Sequence, residues 1–205
     1  MNERWWPWLC FMLALVLHAG WASTVQTPDD LDAQYYLLVA RNLATGQGAV
    51  TASLWNLSLL PEALPLAADL HWMPLPSRVL VPGLWLWPAR GDQLVSVLLA
   101  SAWAPLAWAL ARALAADRSV ALGASLLAAS GGVYARYLVM PDCYALYGLL
   151  GGLGLLAVVR GSWSGAAVVA ALAALTRNDG LLLGPCLALG FVGWRAWGVA
   201  AVGPL

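Results

Sequence analysis

The 205-residue sequence contains no lysine, and each of its ten basic side chains is arginine. That excludes Schiff-base and other lysine-centred chemistry. Charge of either sign is scarce, at 10% of residues, and the formal net charge is zero, so there is no basic face for nucleic acid. Cysteine is limited to Cys10, Cys143 and Cys186, each in an apolar run without metal or redox spacing. They read as small apolar fillers. Histidine occurs only at His18, inside an apolar segment and read as a packed side chain, and at His71. What is abundant is apolar. The chain is 62% hydrophobic, has a mean hydropathy of +0.75 and carries thirteen tryptophans. Trp concentrates at membrane interfaces, and this composition predicts an all-α integral membrane protein.

The order of apolar runs and breakers predicts one transmembrane module over residues 1–205. Six spans are expected near residues 5–25, 94–111, 120–137, 143–159, 165–176 and 180–197, with Pro105 as a kink in the second. Trp5, Trp6 and Trp8 flank one end of the first span and Trp21 the other. A cleaved signal peptide is its competing reading, because small residues surround Ala19–Ala22. Residues 26–92 form a large outer loop. Within it, residues 47–70 are irregular and suit a lid or an acceptor-side loop. Residues 79–87 are too few to span and read as an interfacial or re-entrant helix.

The polar stretch from Thr27 to Gly48 stands apart and predicts a second interfacial helix on the membrane surface. Thr27 is the expected N-cap, Pro28 the first helical residue, and Gly46 the stop after Leu43 and Ala44. Asp29 and Asp30 fall in the first turn, where helix-start preferences suffice to explain them. Asp32 lies one turn in, where capping does not account for it. At about 100° per residue, Asp32, Tyr36, Val39 and Leu43 share a face and Arg41 points the opposite way.

Starting the chain inside and alternating gives five arginines on each side, so the positive-inside rule does not choose an orientation. The carboxylates do: eight of ten fall on the outer side, among them Glu62, Asp69 and Asp92. Three polar marks stand at outer span ends or on the outer helix: Asp30-Leu-Asp32, Met140-Pro-Asp142 and Thr176-Arg-Asn-Asp-Gly180. Ionisable groups at such places are costly unless paired or hydrated and read as functional, with helix caps and snorkelling arginines as the plain alternative.

The order of these marks resembles the GT-C superfamily of polytopic glycosyltransferases, which includes protein O-mannosyltransferases, lipid A aminoarabinose transferases and the catalytic subunit of oligosaccharyltransferase. The outer helix of that family opens with an acidic residue followed at fixed spacing by Tyr, Ala-Arg, Leu and Gly. Asp32, Tyr36, Ala40, Arg41, Leu43 and Gly46 match it. The family often has Glu after the first Asp, where this chain has Ala33, so Asp29 or Asp30 is left to supply a second carboxylate. His71-Trp-Met-Pro-Leu-Pro76 resembles a His/Pro-Pro-Leu segment, Pro141-Asp142 the second acidic motif, and Thr176–Leu183 a Thr-Arg-x-acidic-Gly-Leu segment. Family members run several hundred residues, so the resemblance covers an N-terminal module and implies a missing C-terminal part.

The resemblance implies an inverting transfer of a sugar from a polyprenyl-phosphate donor to a glycan, lipid or protein acceptor. It would occur at the outer face of a bacterial plasma membrane, within the bilayer and without nucleic acid. Asp32 is then the catalytic base and Asp142 a second catalytic carboxylate, with Asp30 or Asp29 beside them. Arg177 contacts the leaving phosphate, while Tyr36, His71 and Asp179 bind substrate. A divalent cation, Mg or Mn, held by Asp32 and Asp142 is the one cofactor implied. The rival readings are a transporter-like protein, a non-catalytic membrane subunit or an inactive fragment. A transporter should place charge near mid-membrane or show internal repeats, and the sequence shows neither.

Overall fold

The computed structural model describes residues 5–52, 64–70 and 72–189. His71 and Glu62, two polar residues of the outer loop, lie outside the described residues, as do Arg4, Arg195 and the last part of the expected sixth span. The described chain is all-α apart from one two-residue strand pair. Among the described residues, two helices have the length and apolarity to cross a bilayer: Trp6–Thr24, of 19 residues, and Gly91–Ala113, of 23.

Helix α1 (Trp6–Thr24) buries Cys10, Ala14, His18 and Ala22, a stripe at i, i+4 spacing. Small side chains on that stripe let neighbouring helices approach closely. Cys10 and Ala14 pack on Ala104 and Ala129. His18 Nδ1 lies 3.2 Å from Ser101 Oγ, whose own proton goes to the Val97 carbonyl at 2.6 Å. The imidazole therefore carries its proton on Nδ1 and donates.

Helix α2 (Leu31–Ala44) corrects the expected start. Asp30, not Thr27, is the N-cap: its side chain accepts from the Asp32 backbone N–H at 3.1 Å. Pro28 stays outside the helix, where its carbonyl accepts from Gln34 Nε2 at 2.9 Å. The helix stops as expected, with Gly46 in the left-handed region at φ 79°. Beyond it, β1 (Val50–Thr51) pairs antiparallel with β2 (Leu66–Ala67), a small ladder within a stretch expected to be irregular.

Helix α3 (Leu75–Leu86) turns back at residues 87–90 into α4 (Gly91–Ser101). The two cross at Gly83 and Gly91, whose backbones touch. Through Leu80 and Leu84, α3 also packs on Leu37 and Ala40 of α2. Helix α2 is thereby clamped to the bundle. Helix α5 (Trp103–Ala113) continues α4 after a local break at Ala102, one turn before Pro105, whose missing N–H leaves the Ser101 carbonyl without its helical donor.

The expected third span is broken in the structure. Helix α6 (Arg118–Ser130) ends at Gly131, φ 64°, and a 3-10 turn at Gly132–Tyr134 leads into the single turn α7 (Ala135–Leu138). The Gly-Gly pair releases the helix where a continuous apolar pattern had suggested it would run on. Helices α8 (Tyr144–Val159) and α9 (Trp163–Ala174) follow close to expectation. Then a 3-10 turn at Asn178–Leu182 begins the last described helical residues, 183–189. Ser125 Oγ donates to the Ala104 carbonyl at 2.7 Å and Trp103 Nε1 to the Ala145 carbonyl at 2.9 Å, stitching α5 to α6 and to α8.

Candidate functional site

The turn between α7 and α8 sets the centre of the site. Val139, Met140 and Cys143 are almost fully buried, and the Asp142 backbone N–H folds back onto the Met140 carbonyl at 2.8 Å. Its side chain is thereby fixed in the interior at 7% exposure. Asp142 Oδ1 accepts from the Cys143 backbone N–H. Asp142 Oδ2 is buried and accepts no hydrogen bond from the described residues. An orphaned buried carboxylate oxygen is costly and rare outside functional sites. Burial, reinforced by Asp30 and Asp32, pushes the Asp142 carboxyl up to about 6, while the hydrogen bonds from Cys143 oppose that rise. Asp30 and Asp32 thus lie within electrostatic reach of Asp142, more than a hundred positions away in the chain.

From the other side, α2 contributes Tyr36, 2% exposed and packed with Tyr35, Val39, Ala68 and Cys143. Tyr35 meets it edge-on at 6.1 Å between ring centroids, and Trp72 tilts over it at 6.4 Å. Burial raises the Tyr36 phenol well above its ordinary range, with Cys143, Asp142 and Asp32 adding to the rise and Arg177 opposing it. The hydroxyl is therefore a permanent donor at neutral pH. The Tyr35 hydroxyl donates to the Ala68 carbonyl and closes the wall beside β2.

Arg177 enters after α9. Its guanidinium grips Asp179 through Nε at 2.9 Å and Nη2 at 3.3 Å, and Nη1 reaches Cys143 Sγ at 3.5 Å. It stands over the rings of Tyr144 and Tyr147 at 5.5 and 5.6 Å from their centroids. The Asp179 contact, ahead of the opposing effect of burial, holds Arg177 firmly charged. The turn that presents it depends on Gly180, where an added Cβ would lie 2.1 Å from the Ala173 carbonyl oxygen.

The residues singled out from the sequence divide cleanly. Asp30, Asp32, Tyr36, Asp142, Arg177 and Asp179 converge on one region. Asp29 does not join them: its carboxylate pairs with Arg136, both half-exposed. Of the two, Asp30 and not Asp29 is the one whose charge acts on Asp142. Arg136→Gln is expected to cost at most about 1 kcal/mol in thermal unfolding, as for other exposed ion pairs.

Cys143 was read as filler, yet it sits between Asp142, Tyr36 and Arg177. Its position beside the Pro-Asp motif was the available signal. Tyr144 and Tyr147 were also missed; their i, i+3 spacing on α8 places both rings under Arg177. Among the described residues, no three His, Cys, Asp or Glu side chains converge closely enough to hold a metal ion by themselves. Comparison with protein-family models, curated proteins and solved structures gives no match for this chain. The described residues define an all-α protein with two bilayer-length helices and a buried Asp142, with Arg177 on the adjacent Cys143.

Proposed function

We propose that this chain is the N-terminal module of an inverting, membrane-embedded glycosyltransferase of the GT-C type. In this reading about six helices cross the membrane, α2 and α3 lie at its outer surface, and the donor is a sugar on a polyprenyl phosphate in a bacterial plasma membrane. What supports it is a buried Asp142 with one unpartnered oxygen, within electrostatic reach of Asp30 and Asp32 at the start of α2, and a charged Arg177 on the neighbouring Cys143.

The residues divide the chemistry between them. The acceptor hydroxyl attacks the anomeric carbon, the bond from that carbon to the phosphate oxygen breaks, and the phosphate leaves with the electron pair. Asp32, partly exposed on α2, takes the acceptor proton. Asp142 has one oxygen sealed from solvent; when ionised, its charge favours the positive character that develops on the sugar. Arg177, held by Asp179 and the tyrosine pair, meets the negative charge gathering on the phosphate. Tyr36 donates a hydrogen bond from the floor.

Asp32 and Asp142 would hold a Mg or Mn ion, whose remaining ligands would come from phosphate oxygens and water. That suits an ion that commonly uses one or two carboxylates together with substrate phosphates.

The test is sugar transfer by the purified, reconstituted protein from a panel of radiolabelled polyprenyl-phosphate sugars, resolved by thin-layer chromatography. Asp32→Asn is expected to lower turnover by about 10²-fold or more. Wild-type turnover in that variant would remove Asp32 from the base role. Failure of the unaltered protein to consume any of these donors would count against the enzyme reading itself.

A further inference from the structure

A second feature lies on the other side of α2. A cleft of about 910 Å³ opens between the chain leaving α1, the outer face of α2 and the α3–α4 turn. Arg41 lines it, half a helical circuit from Asp32, and Arg90 faces it from the turn. Arg90 Nη2 makes one hydrogen bond, to Gln26 Oε1 at 3.1 Å. Arg41 has no ion-pair partner within 4 Å among the described residues; its nearest influence is a through-space one with the buried Asp92 carboxylate. The cleft therefore holds two guanidinium forks against one carboxylate, with most of their donors open.

Leu31 lines the cleft from α2 and is 63% exposed. Trp85, Leu86 and Trp87, which lead into the turn that carries Ala89 and Arg90, are 68%, 77% and 49% exposed. Two like charges held at one cleft repel, and an anion with several acceptor oxygens relieves that repulsion while filling both forks. An exposed Trp-Leu-Trp segment two residues before the lining turn offers apolar surface to a chain continuous with the anion.

We propose that this cleft binds the phosphate head group of an anionic phospholipid, with Arg41 and Arg90 on the phosphate and the acyl chains laid over Trp85–Trp87. It is a second site: α2 separates it from the Asp32–Asp142 centre, and it stands whether or not the sugar-transfer reading holds.

The test is native mass spectrometry of the detergent-purified full chain titrated with short-chain phosphatidylglycerol, short-chain phosphatidylcholine and inorganic phosphate. Phosphatidylglycerol is expected to bind about tenfold more tightly than phosphatidylcholine, because the choline cation offsets the charge of its own phosphate and is repelled by two arginines, whereas phosphatidylglycerol keeps a net negative charge. The pair Arg41→Gln and Arg90→Gln should erase that preference. Asp92→Asn, which removes the opposing charge with little change of shape, should strengthen it. Arg118→Gln, remote from the cleft on the face of Trp6, should leave it unchanged. Equal binding of the two lipids, or a preference that survives the double substitution, would overturn the proposal. Displacement of phosphatidylglycerol by equimolar inorganic phosphate would assign the cleft to a soluble phosphate and overturn the lipid assignment.

Discussion

Asp142→Asn is expected to make the protein more stable and less active at the same time. In the folded chain this carboxyl binds its proton at about 6, against an ordinary value of 3.8, and burial is the main cause. Between these values the folded protein holds a proton that the unfolded chain has released. The wild type therefore has its full stability contribution below about pH 4 and loses it as the pH rises through about 6. Asparagine has the same shape and no proton to lose. The variant and the wild type should unfold together near pH 4, then separate, with the variant ahead by about 3 kcal/mol at neutral pH. Thermal unfolding in detergent at a series of pH values reads this directly.

The same substitution removes the charge assigned to the developing cation, so sugar transfer should fall by about 10²-fold. The acid limb of the wild-type pH–rate profile, near 6, should vanish from whatever activity remains. Parallel stability curves for the two proteins from about pH 4 to neutrality would mean that Asp142 is not buried as a strained carboxylate, and its place at the centre of the site would fall with that.

Gly91→Ala is expected to be the most damaging Gly→Ala change among the described residues. A Cβ at Gly91 would sit 1.8 Å from the Gly83 carbonyl oxygen and 2.1 Å from its carbon. The reverse substitution is scarcely better, at 2.2 Å from the Gly91 carbonyl oxygen. Both obstacles are backbone, so no side-chain rotation relieves them and α3 must lift from α4. The cost is about 3 kcal/mol or more. Because Leu80 and Leu84 of α3 hold Leu37 and Ala40, α2 would lose its anchor and Asp32 its position.

Gly123→Ala provides the contrast. Nothing lies within 4 Å of its added Cβ, and it sits in the body of α6. It should stabilise by about 0.5–1 kcal/mol through helix propensity. Comparable unfolding temperatures for the two alanine variants would show that the α3–α4 crossing is looser than its geometry.

Helix α2 shows how far local pattern reached. Its facing was legible: a 3.6-residue period puts Tyr36, Val39 and Leu43 together, and all three pack in one cluster, while Arg41 lines the opposite cleft. Its start was not. Thr27, Asp29 and Asp30 are all competent caps, and local preference cannot rank them when a distant arginine competes for one. Arg136, 107 positions from Asp29, takes that carboxylate and leaves Asp30 to cap. The third span failed for a related reason. Gly131-Gly132 interrupts a sequence apolar enough to continue, and the break is used to turn the chain into the buried Met140–Cys143 bend.

The sequence by itself determined the helical class, the positions of most breakers and the face that each amphipathic residue shows, because these follow from composition and from a period of a few residues. Only the tertiary structure decided that Asp30 and Asp32 approach Asp142, that Arg177 rests on Cys143 and two tyrosines, and that Arg41 and Arg90 share a cleft. Those meetings join residues dozens to more than a hundred positions apart. They are set by how closely helices can cross, and hence by contacts such as Gly83 on Gly91, which no local periodicity records.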